Sequence, residues 1–496
     1  MLEKIMGTEL EEGYRTSKLV PRLFFLFFSI PFALFLYGWF KPIYSIPLFL
    51  ILVISLFFAL KHVSALWIPN FTKSDITKII ILMLIVSAWV CCSGIGGFVW
   101  QTNDHIIRNA VFNDLVHKHW PVVDLKTNSL LVYYIAFWLP AAAFGKVFGL
   151  EAGYVFQDIW AILFILFLLY FVFTFMKKIV IWPLVVLIFF SGMDIIPYYI
   201  QKGKIDIWHI DNHDGFEISS ITTQLNWVFN QAVPAWTATV FMFSQKKLKS
   251  IVLVLALLLL YSPLPFFGIL PFVLFIVLYD FYIKRKSNEL KKTNILFQFV
   301  PYAISDVFSI ENIIGGGVVG IASYLYLAAN ISGGHMHFID LSHTFYLDSI
   351  ALYLPFEVIF VALAIWLCGI RHPLIYITTG FLIFCPFYQI GEAYDFVMRA
   401  SIPALIVLYL LTVAALKKTY KKQNKKIAFS ILVMVLFFGA ITPLGEMNFI
   451  FDHTIHAIAN GLPLKQHTVN YFHIKGTAHD NLVGSLNSIF GKYFLK

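Results

Sequence analysis

The sequence predicts an all-α protein that crosses a membrane many times, and three observations support this prediction. Hydrophobic residues make up 59% of the 496 residues, charged residues only 13%, and the mean hydropathy is +0.80. The apolar residues form about thirteen runs, most of them close to the roughly 20 residues that a helix needs to cross a bilayer. Lysines collect in the short loops between these runs. The runs extend over the whole chain, which excludes a soluble enzyme with a single anchor.

The predicted spans follow one another through a single transmembrane domain, 1–496. In order they are Leu23–Phe40, Pro42–Leu60, Ile79–Trp100, Tyr154–Met176, Ile179–Tyr199, Val228–Ser244, Ile251–Tyr261, Leu264–Ile283, Ile313–Ala329, Ile350–Ile370, Leu374–Ile390, Ile402–Leu416 and Ile427–Leu444. The polar start Met1–Val20 lacks the apolar run of a signal peptide, so we expect a cytoplasmic N-terminus. These crossings place the tail, 445–496, on the exoplasmic side.

The first large exoplasmic loop, 101–150, contains a segment whose placement decides the topology. Asn128–Leu150 is apolar enough to form a further span. If it crossed, the lysine-rich loops Lys177-Lys178, Lys284-Arg285-Lys286 and Lys417–Lys426 would be exoplasmic, against the positive-inside tendency. If it lies along the outer surface as a juxtamembrane or re-entrant helix, these loops are cytoplasmic. We therefore predict a surface helix.

Only Ser262-Pro263 separates the predicted spans Ile251–Tyr261 and Leu264–Ile283. As one helix they would be about 50 Å long, which exceeds a ~30 Å hydrocarbon core. A hairpin near Pro263 and an ordinary proline-kinked helix are both compatible with the sequence.

Two of the six arginines lie outside the lysine-rich loops, and each follows an aspartate by four residues. Asp104 and Arg108 lie in the first outer loop, and Asp395 and Arg399 precede the span Ile402–Leu416. Residues four apart share a helical face, so each pair can be a local salt bridge. Two such pairs on the outer surface of an apolar protein can also supply a catalytic base and an arginine clamp for a phosphate.

The remaining titratable groups favour chemistry on the exoplasmic side. All of the 15 histidines except His62 and His372, and most carboxylates, fall on that side of the predicted topology. Asp158 and Glu357 lie inside spans, several residues from the outer end, and Asp194 lies near the outer end of its span. Ionisable groups at that depth line a polar cavity or pair with one another.

Cofactors and nucleic acid are not expected from the composition. Two outer clusters have spacings that a divalent metal could use: His335-Met336-His337 with His343, and His209-x3-His213 with Asp211 and Asp214. Solvated loop residues are the simpler interpretation, so no metal is predicted and a divalent ion is the alternative. The four cysteines fall inside apolar runs, where they act as small hydrophobic residues. The net charge of +9 follows from the lysine-rich loops and requires no nucleic acid.

The segment from Trp100 to Val122 resembles the first outer loop of GT-C glycosyltransferases, polytopic enzymes that take a sugar from a polyprenyl-phosphate donor. The matching features are Asp104 at the membrane surface, the helix Arg108–Lys118, the turn Trp120-Pro121, and a second surface helix, Tyr133–Leu150, with Phe148-Gly149. Tyr394–Ala404 is similar to a late segment of several bacterial proteins of this type. Two extra spans precede the loop, and Asn103 and His105 flank Asp104 where the family usually has a second acidic residue.

The resemblance implies a GT-C-like enzyme of the bacterial cell membrane. It would transfer a sugar, with inversion, from a polyprenyl-phosphate donor to an envelope polymer, lipid or protein, among membrane lipids. Asp104 would be the general base, because an attacking hydroxyl must lose a proton, and Arg399 and Arg108 would bind the donor phosphate. The residues expected to line the cavity are His105, Asp158, Asp194, Glu357 and Asp395. A polysaccharide polymerase or ligase and a lipid-glycan transporter or flippase remain the alternatives.

Overall fold

The protein is a helical, polytopic membrane protein, as its composition predicts. A computed structural model describes residues 2–7, 14–205, 207–208, 210–213, 216–287, 294–331, 336–338, 344–390, 395–466 and 482–496. The structure is about 74% helical and contains almost no sheet. Large apolar side chains such as Ile43, Leu50 and Phe57 are exposed along its outer helices, which is expected of surfaces that face lipid.

The α-helices are numbered here in chain order. They are α1 Leu2–Ile5, α2 Leu19–Trp39, α3 Pro42–His62, α4 Lys73–Cys91, α5 Asp104–His117, α6 Leu139–Phe148, α7 Leu150–Met176, α8 Trp182–Ile188, α9 Ile195–Lys202, α10 Ile221–Ser244, α11 Ile251–Tyr261, α12 Pro263–Lys286, α13 Ile295–Tyr302, α14 Gly316–Leu327, α15 Thr344–Leu354, α16 Phe360–Leu367, α17 Pro373–Phe384, α18 Asp395–Ala400, α19 Ile402–Thr419, α20 Lys426–Gly439 and α21 Ile441–Ala459. Short 3₁₀ or π turns occupy Ile135–Phe137, Ala303–Val307, Glu311–Gly315, Pro355–Ile359, Cys385–Phe387, Gln423–Lys425 and Phe490–Phe494.

The strands are short and pair in small antiparallel units. They are β1 Thr16–Ser17, β2 Leu66–Trp67, β3 Val123–Asp124, β4 Ser129–Leu131, β5 Asn212–His213, β6 Phe216–Glu217, β7 Met336–Phe338, β8 Tyr388–Ile390 and β9 Val483–Ser485. β1 pairs with β2, β5 with β6, and β7 with β8, while β3, β4 and β9 form a three-stranded sheet.

Eight helical segments of the described ranges are long and apolar enough to cross a membrane. They are Leu19–Trp39, Pro42–His62, Lys73–Cys91, Leu150–Met176, Pro263–Lys286, Tyr346–Leu367, Ile402–Thr419 and Gln423–Ala459. A ninth is present if Phe297–Val307 and Glu311–Leu327, bent by 80°, count as one broken span. These segments overlap predicted spans, but the predicted count of thirteen is not confirmed.

The other predicted spans are short, interrupted or polar. Ile179–Tyr199 is divided into α8 and α9. Val228–Ser244 lies within α10, which is 24 residues long but carries several buried amide and hydroxyl side chains. The backbone at Ser262 is extended (φ −170°, ψ 107°), so α11 ends there and a new helix begins at Pro263. A single proline-kinked helix is therefore not formed.

Asn128–Leu150 contains no helix of membrane-spanning length. Its main helix, α6, has ten residues and is therefore about 15 Å long, half of a ~30 Å hydrocarbon core. Gly149 ends α6 with φ 94°, a backbone conformation that favours glycine, and α7 begins at the next residue. The segment thus forms a short helix followed by a sharp turn into the long helix α7.

The long helices form a core around α10, in which nearly every side chain is buried. α7 and α19 are also largely buried, whereas α3 and α4 expose most of their surface. At the end where α7 begins, β4 pairs with β9, and the Gln101 amide donates to the Leu464 carbonyl. The chain around β9 and the loop 101–150 therefore lie together at one end, which we call the loop end.

The lysine-rich loops meet at the opposite ends of the same helices. Lys177, which follows α7, forms an ion pair with Glu3. The Gln245 side chain accepts from the Ser64 amide, and Ser309 donates to the Lys249 carbonyl. We call this the lysine-rich end. The contacts thus group the basic loops together, away from the Asp104 region.

Candidate functional site

Asp104 opens α5 and does not follow the preceding span directly. The predicted span Ile79–Trp100 ends as helix at Cys91, and a non-helical segment, 92–103, leads to Asp104. A carboxylate in the first helical turn is stabilised by the free amide groups and the dipole of the helix. The Asp104 side chain is 45% exposed, so it is accessible from the loop end. The segment 92–103 and α5, rather than the preceding span, therefore hold Asp104 in place.

The helix α5 is less exposed than a surface helix would be. Nine of its residues are buried, including His105, Arg108 and Asp114. Asp114 forms a 2.8 Å ion pair with Lys118 and is only 3% exposed. The tight packing of α6 against α5 and α7, visible where Gly145 meets Val116, accounts for this burial.

Arg108 is held beneath Asp104 with part of its hydrogen-bonding capacity unused. Its Nη2 donates to Asp104 Oδ2 at 2.9 Å, and its guanidinium carbon lies 5.7 Å from the centre of the Phe229 ring. The side chain is only 5% exposed. Nε and Nη1 are buried without an acceptor among the described residues. A buried guanidinium with free donors favours an anion that approaches from outside.

Arg399 repeats this arrangement on α18. It forms an ion pair with Asp395, which is 44% exposed while Arg399 is 14% exposed. Its buried Nε has no acceptor in the described part of the chain. Although burial opposes its charge, Asp395, Tyr134 and Tyr133 raise the pKa of Arg399 above its ordinary value. In both pairs, therefore, the arginine is much less exposed than the carboxylate.

Tight packing fixes the position of Arg399. Gly268 of α12 lies directly against the carbonyl group of Ala400, where a Cβ atom would collide with the backbone. Glycine is therefore required for this close approach between α12 and α18. Ala400 is the neighbour of Arg399, so the same contact sets the depth of the guanidinium.

Both aspartate–arginine pairs interact electrostatically with Tyr133, and Asp395–Arg399 also interacts with Tyr134. Tyr133 and Tyr134 stack with ring centres 4.3 Å apart. Burial raises the pKa of both phenols; Arg108 and Arg399 partly offset this at Tyr133, and Asp104 and Asp395 add to it. Tyr133 thus lies within electrostatic reach of both pairs, which are almost 300 residues apart in sequence. The Tyr133 amide donates to the Tyr326 hydroxyl at 3.1 Å, which anchors this segment.

His105 supports the site as a neutral ring. It is almost completely buried, stacks on Phe229, and its Nε2 lies 3.3 Å from the Asn226 carbonyl oxygen. Burial, together with the charge of Arg108, lowers the pKa of His105 to about 3. At neutral pH this histidine carries no charge and packs α5 against α10. The prediction that it lines a cavity is not tested by these contacts.

The other predicted cavity residues have different partners. Asp158 is buried on α7 and accepts from the Gly96 amide at 3.1 Å, on the loop between α4 and α5. Asp194 and Glu357 lie beside one another, with Asp211 and Glu217 near enough to interact with Glu357. Asp194 accepts from Ser191 and, at 2.6 Å, from Thr442. The structure thus brings four buried carboxyl groups together, two of which the sequence analysis did not single out for this place.

Metal binding receives no support from the described residues. Within them, no group of three or more His, Cys, Asp or Glu side chains is arranged to hold a metal ion. Most of the two predicted histidine clusters lies outside the described residues. His335, His343, His209 and Asp214 are among these positions.

Tyr133 and Tyr134 are the site residues that the sequence analysis missed. Their signal was the adjacent tyrosine pair in the apolar segment before α6, in the same loop as Asp104. Spacing alone does not connect this pair with Arg399, because that contact depends on packing between distant helices. No family model, curated protein or solved structure matches this chain.

Proposed function

We propose that this chain is a membrane glycosyltransferase of the GT-C type. It transfers a sugar from a polyprenyl-phosphate donor to a cell-envelope acceptor, at the outer face of a bacterial membrane. The observation that supports this proposal best is that Asp104–Arg108 and Asp395–Arg399 both lie within electrostatic reach of Tyr133. The site lies at the loop end of a membrane protein, where a lipid-borne donor and a water-borne acceptor can meet.

The arginines suit the leaving group of this reaction. As the bond between the anomeric carbon and the phosphate oxygen breaks, the lipid phosphate departs with the electron pair and gains negative charge. Arg108 and Arg399 are buried cations whose free N–H groups can receive that charge. Fixed donors in a site of low dielectric stabilise developing charge more strongly than mobile water does. The planar guanidinium also matches the geometry of phosphate oxygens.

Asp104 suits the opposite half of the reaction. The acceptor hydroxyl forms the new bond to the anomeric carbon and releases its proton, which the exposed carboxylate can accept. The ion pair with Arg108 holds this carboxylate in one orientation. Tyr133 and Tyr134, stacked beside the arginines, provide a flat surface on which a sugar ring can lie.

The thirteen-span topology belongs to the same proposal, with a cytoplasmic N-terminus and an exoplasmic C-terminus. Two observations support it: α6 is too short to cross, and the basic loops group at one end while the chain around β9 joins the loop 101–150 at the other. Lysine-rich loops are expected on the cytoplasmic side. Interrupted segments such as α8 with α9 would then count as broken spans, which are tolerated where they are buried in protein.

Cysteine labelling tests this topology. Gly153 would be the obvious partner for Lys126, but it is packed against Phe112, so Glu151 is the better position. Lys126→Cys and Glu151→Cys, both at exposed sites, should each react with an impermeant thiol reagent added outside intact cells. Lys247→Cys, at the lysine-rich end, should react only after permeabilisation. Reaction of Lys126→Cys without reaction of Glu151→Cys would mean that the segment between them crosses the membrane.

The four buried carboxyl groups of Asp194, Asp211, Glu217 and Glu357 favour one alternative function, a cation-coupled transporter of lipid-linked glycans. Carboxyl groups buried in a membrane protein often mark ion or proton pathways, and Glu357 lies within a candidate span beside Asp194. A transporter would move the lipid-linked sugar between leaflets and leave the sugar–phosphate bond intact. Bond cleavage therefore separates the two functions.

The decisive experiment uses purified protein in liposomes that contain a radiolabelled polyprenyl-phosphate sugar, with a membrane extract as the source of acceptor. We expect the label to move from the lipid to the acceptor fraction, and a nucleotide sugar, as the matched control donor, to be inactive. Label that changes leaflets but stays on the lipid would support the transporter instead. Use of the nucleotide sugar alone would contradict the proposed donor class.

A further inference from the structure

A basic cavity lies at the lysine-rich end, because Arg399 precedes the start of α19 whereas Lys418, beside the cavity, lies in its last turn. It has a volume of about 580 Å³ and is formed where α16, α17 and α20 begin or end. Its lining includes Arg371 and Lys425 on one side and apolar side chains on the other, Leu367, Ile427 and Ile431. Cavities that combine cations with an apolar wall at a helix end have the character of a lipid headgroup site.

Two lysines are held by the end of α16, and one of them, Lys425, lines the cavity. Lys418 Nζ donates to the Gly369 carbonyl at 2.7 Å, and Lys425 Nζ donates to the Cys368 carbonyl at 2.8 Å. Gly369 has φ 86°, and a Cβ atom there would lie 2.5 Å from the Lys425 ammonium. The glycine therefore permits both the turn and the close approach. Each ammonium has three N–H donors, so capping the helix leaves donors for a ligand.

Capping of α16 explains the positions of Lys418 and Lys425, but it does not neutralise the positive charge of the residues around them. Lys418 is within electrostatic reach of Lys425, Lys422 and Arg371. Arg371 lies over the Trp366 ring with its guanidinium carbon 4.4 Å from the ring centre. Within the described part of the chain, none of these four cations forms a salt bridge with a carboxylate. Uncompensated cations this close repel one another, so an anion would stabilise the cluster.

The apolar wall identifies the kind of anion. Leu367 ends a candidate span and Ile427 lies near the start of another, and both are exposed, Ile427 to 80%. A soluble anion gains no binding free energy from such an apolar surface, whereas a lipid buries the first methylene groups of its chain against it. We propose that this cavity binds the phosphate headgroup of an anionic membrane lipid, with Arg371 and Lys425 as the principal contacts. The site is independent of the proposed transfer reaction.

Lipid binding to the purified full-length protein tests this inference. In a neutral detergent, we expect fluorescent phosphatidylglycerol to bind at least ~10-fold more tightly than phosphatidylcholine with the same chains. The variant Arg371→Gln with Lys425→Gln should lose at least ~10-fold in affinity for phosphatidylglycerol alone. Lys246→Gln with Lys247→Gln is the matched control, because both lysines are exposed at the same end but outside the cavity.

Two further variants test the proposal if the double glutamine variant folds poorly. Arg371→Gln alone removes no helix cap and should still weaken binding several-fold, while Arg371→Lys with Lys425→Arg should retain it. An equal loss of phosphatidylglycerol affinity in the control variant would mean that general surface charge attracts the lipid, and it would overturn the proposal. Displacement of the lipid by millimolar glycerol phosphate would indicate a soluble phosphate ligand and would also overturn it.

Discussion

Replacing Asp104 by asparagine is expected to lower the glycosyl-transfer rate by about 10²–10⁴-fold, the usual effect of losing a general base. Asparagine keeps the size of the side chain and can still accept a hydrogen bond from Arg108 Nη2. It lacks only the basic oxygen that takes the acceptor proton. The rate should be measured as sugar transfer from the lipid donor, with membrane protein levels matched to the wild type.

The effects on kcat and KM show whether Asp104 acts as the general base or only holds Arg108 in position. Loss of the base should lower kcat and leave the KM for the donor almost unchanged, whereas a displaced Arg108 should raise that KM. Asp452→Asn, at an exposed position on α21, is the matched control and should be fully active. Asp114→Asn is unsuitable as a control because it breaks a buried ion pair. Wild-type kcat in a well-expressed Asp104→Asn protein would exclude Asp104 as the base.

Replacing Arg399 by lysine is expected to reduce kcat/KM by at least ~10-fold, which corresponds to about 1.4 kcal/mol. The substitution keeps the positive charge and can keep the ion pair with Asp395. It removes the planar guanidinium, whose buried Nε has no acceptor in the described part of the chain and can bind a phosphate oxygen. The loss should therefore appear although the net charge of the site does not change.

Two comparisons make this result specific. Arg108→Lys should have a similar effect, because Arg108 also has free buried donors, and the double variant should lose more than either single one. Arg285→Lys, at an exposed position of the lysine-rich end, should have no effect. If Arg399→Lys retains full activity while remaining folded, Arg399 is an anchor at the membrane boundary and the phosphate is bound elsewhere.

The candidate site was only partly predictable. The two aspartate–arginine pairs were visible as i, i+4 spacings, and both form. Their burial was not visible, since it depends on Phe229 and on Gly268, which belong to other helices. Asp114 has the same spacing to Lys118 as Asp104 has to Arg108, yet one carboxylate is buried and the other exposed. Local sequence does not distinguish these two cases.

The sequence by itself determined the class of protein, since apolar runs of membrane length cannot be stabilised in water, and charged loops cannot be buried in lipid. It also predicted, from the charge of the loops that follow, that Asn128–Leu150 does not cross the membrane, and this segment contains no helix of membrane-spanning length. The sequence marked Ser262-Pro263 as a kink or a break, and only the tertiary structure decided between them. Which distant groups meet, such as Arg399 and Tyr133, depends on packing between helices far apart in the chain. Such contacts contribute no periodicity to the sequence, so no local pattern could predict them.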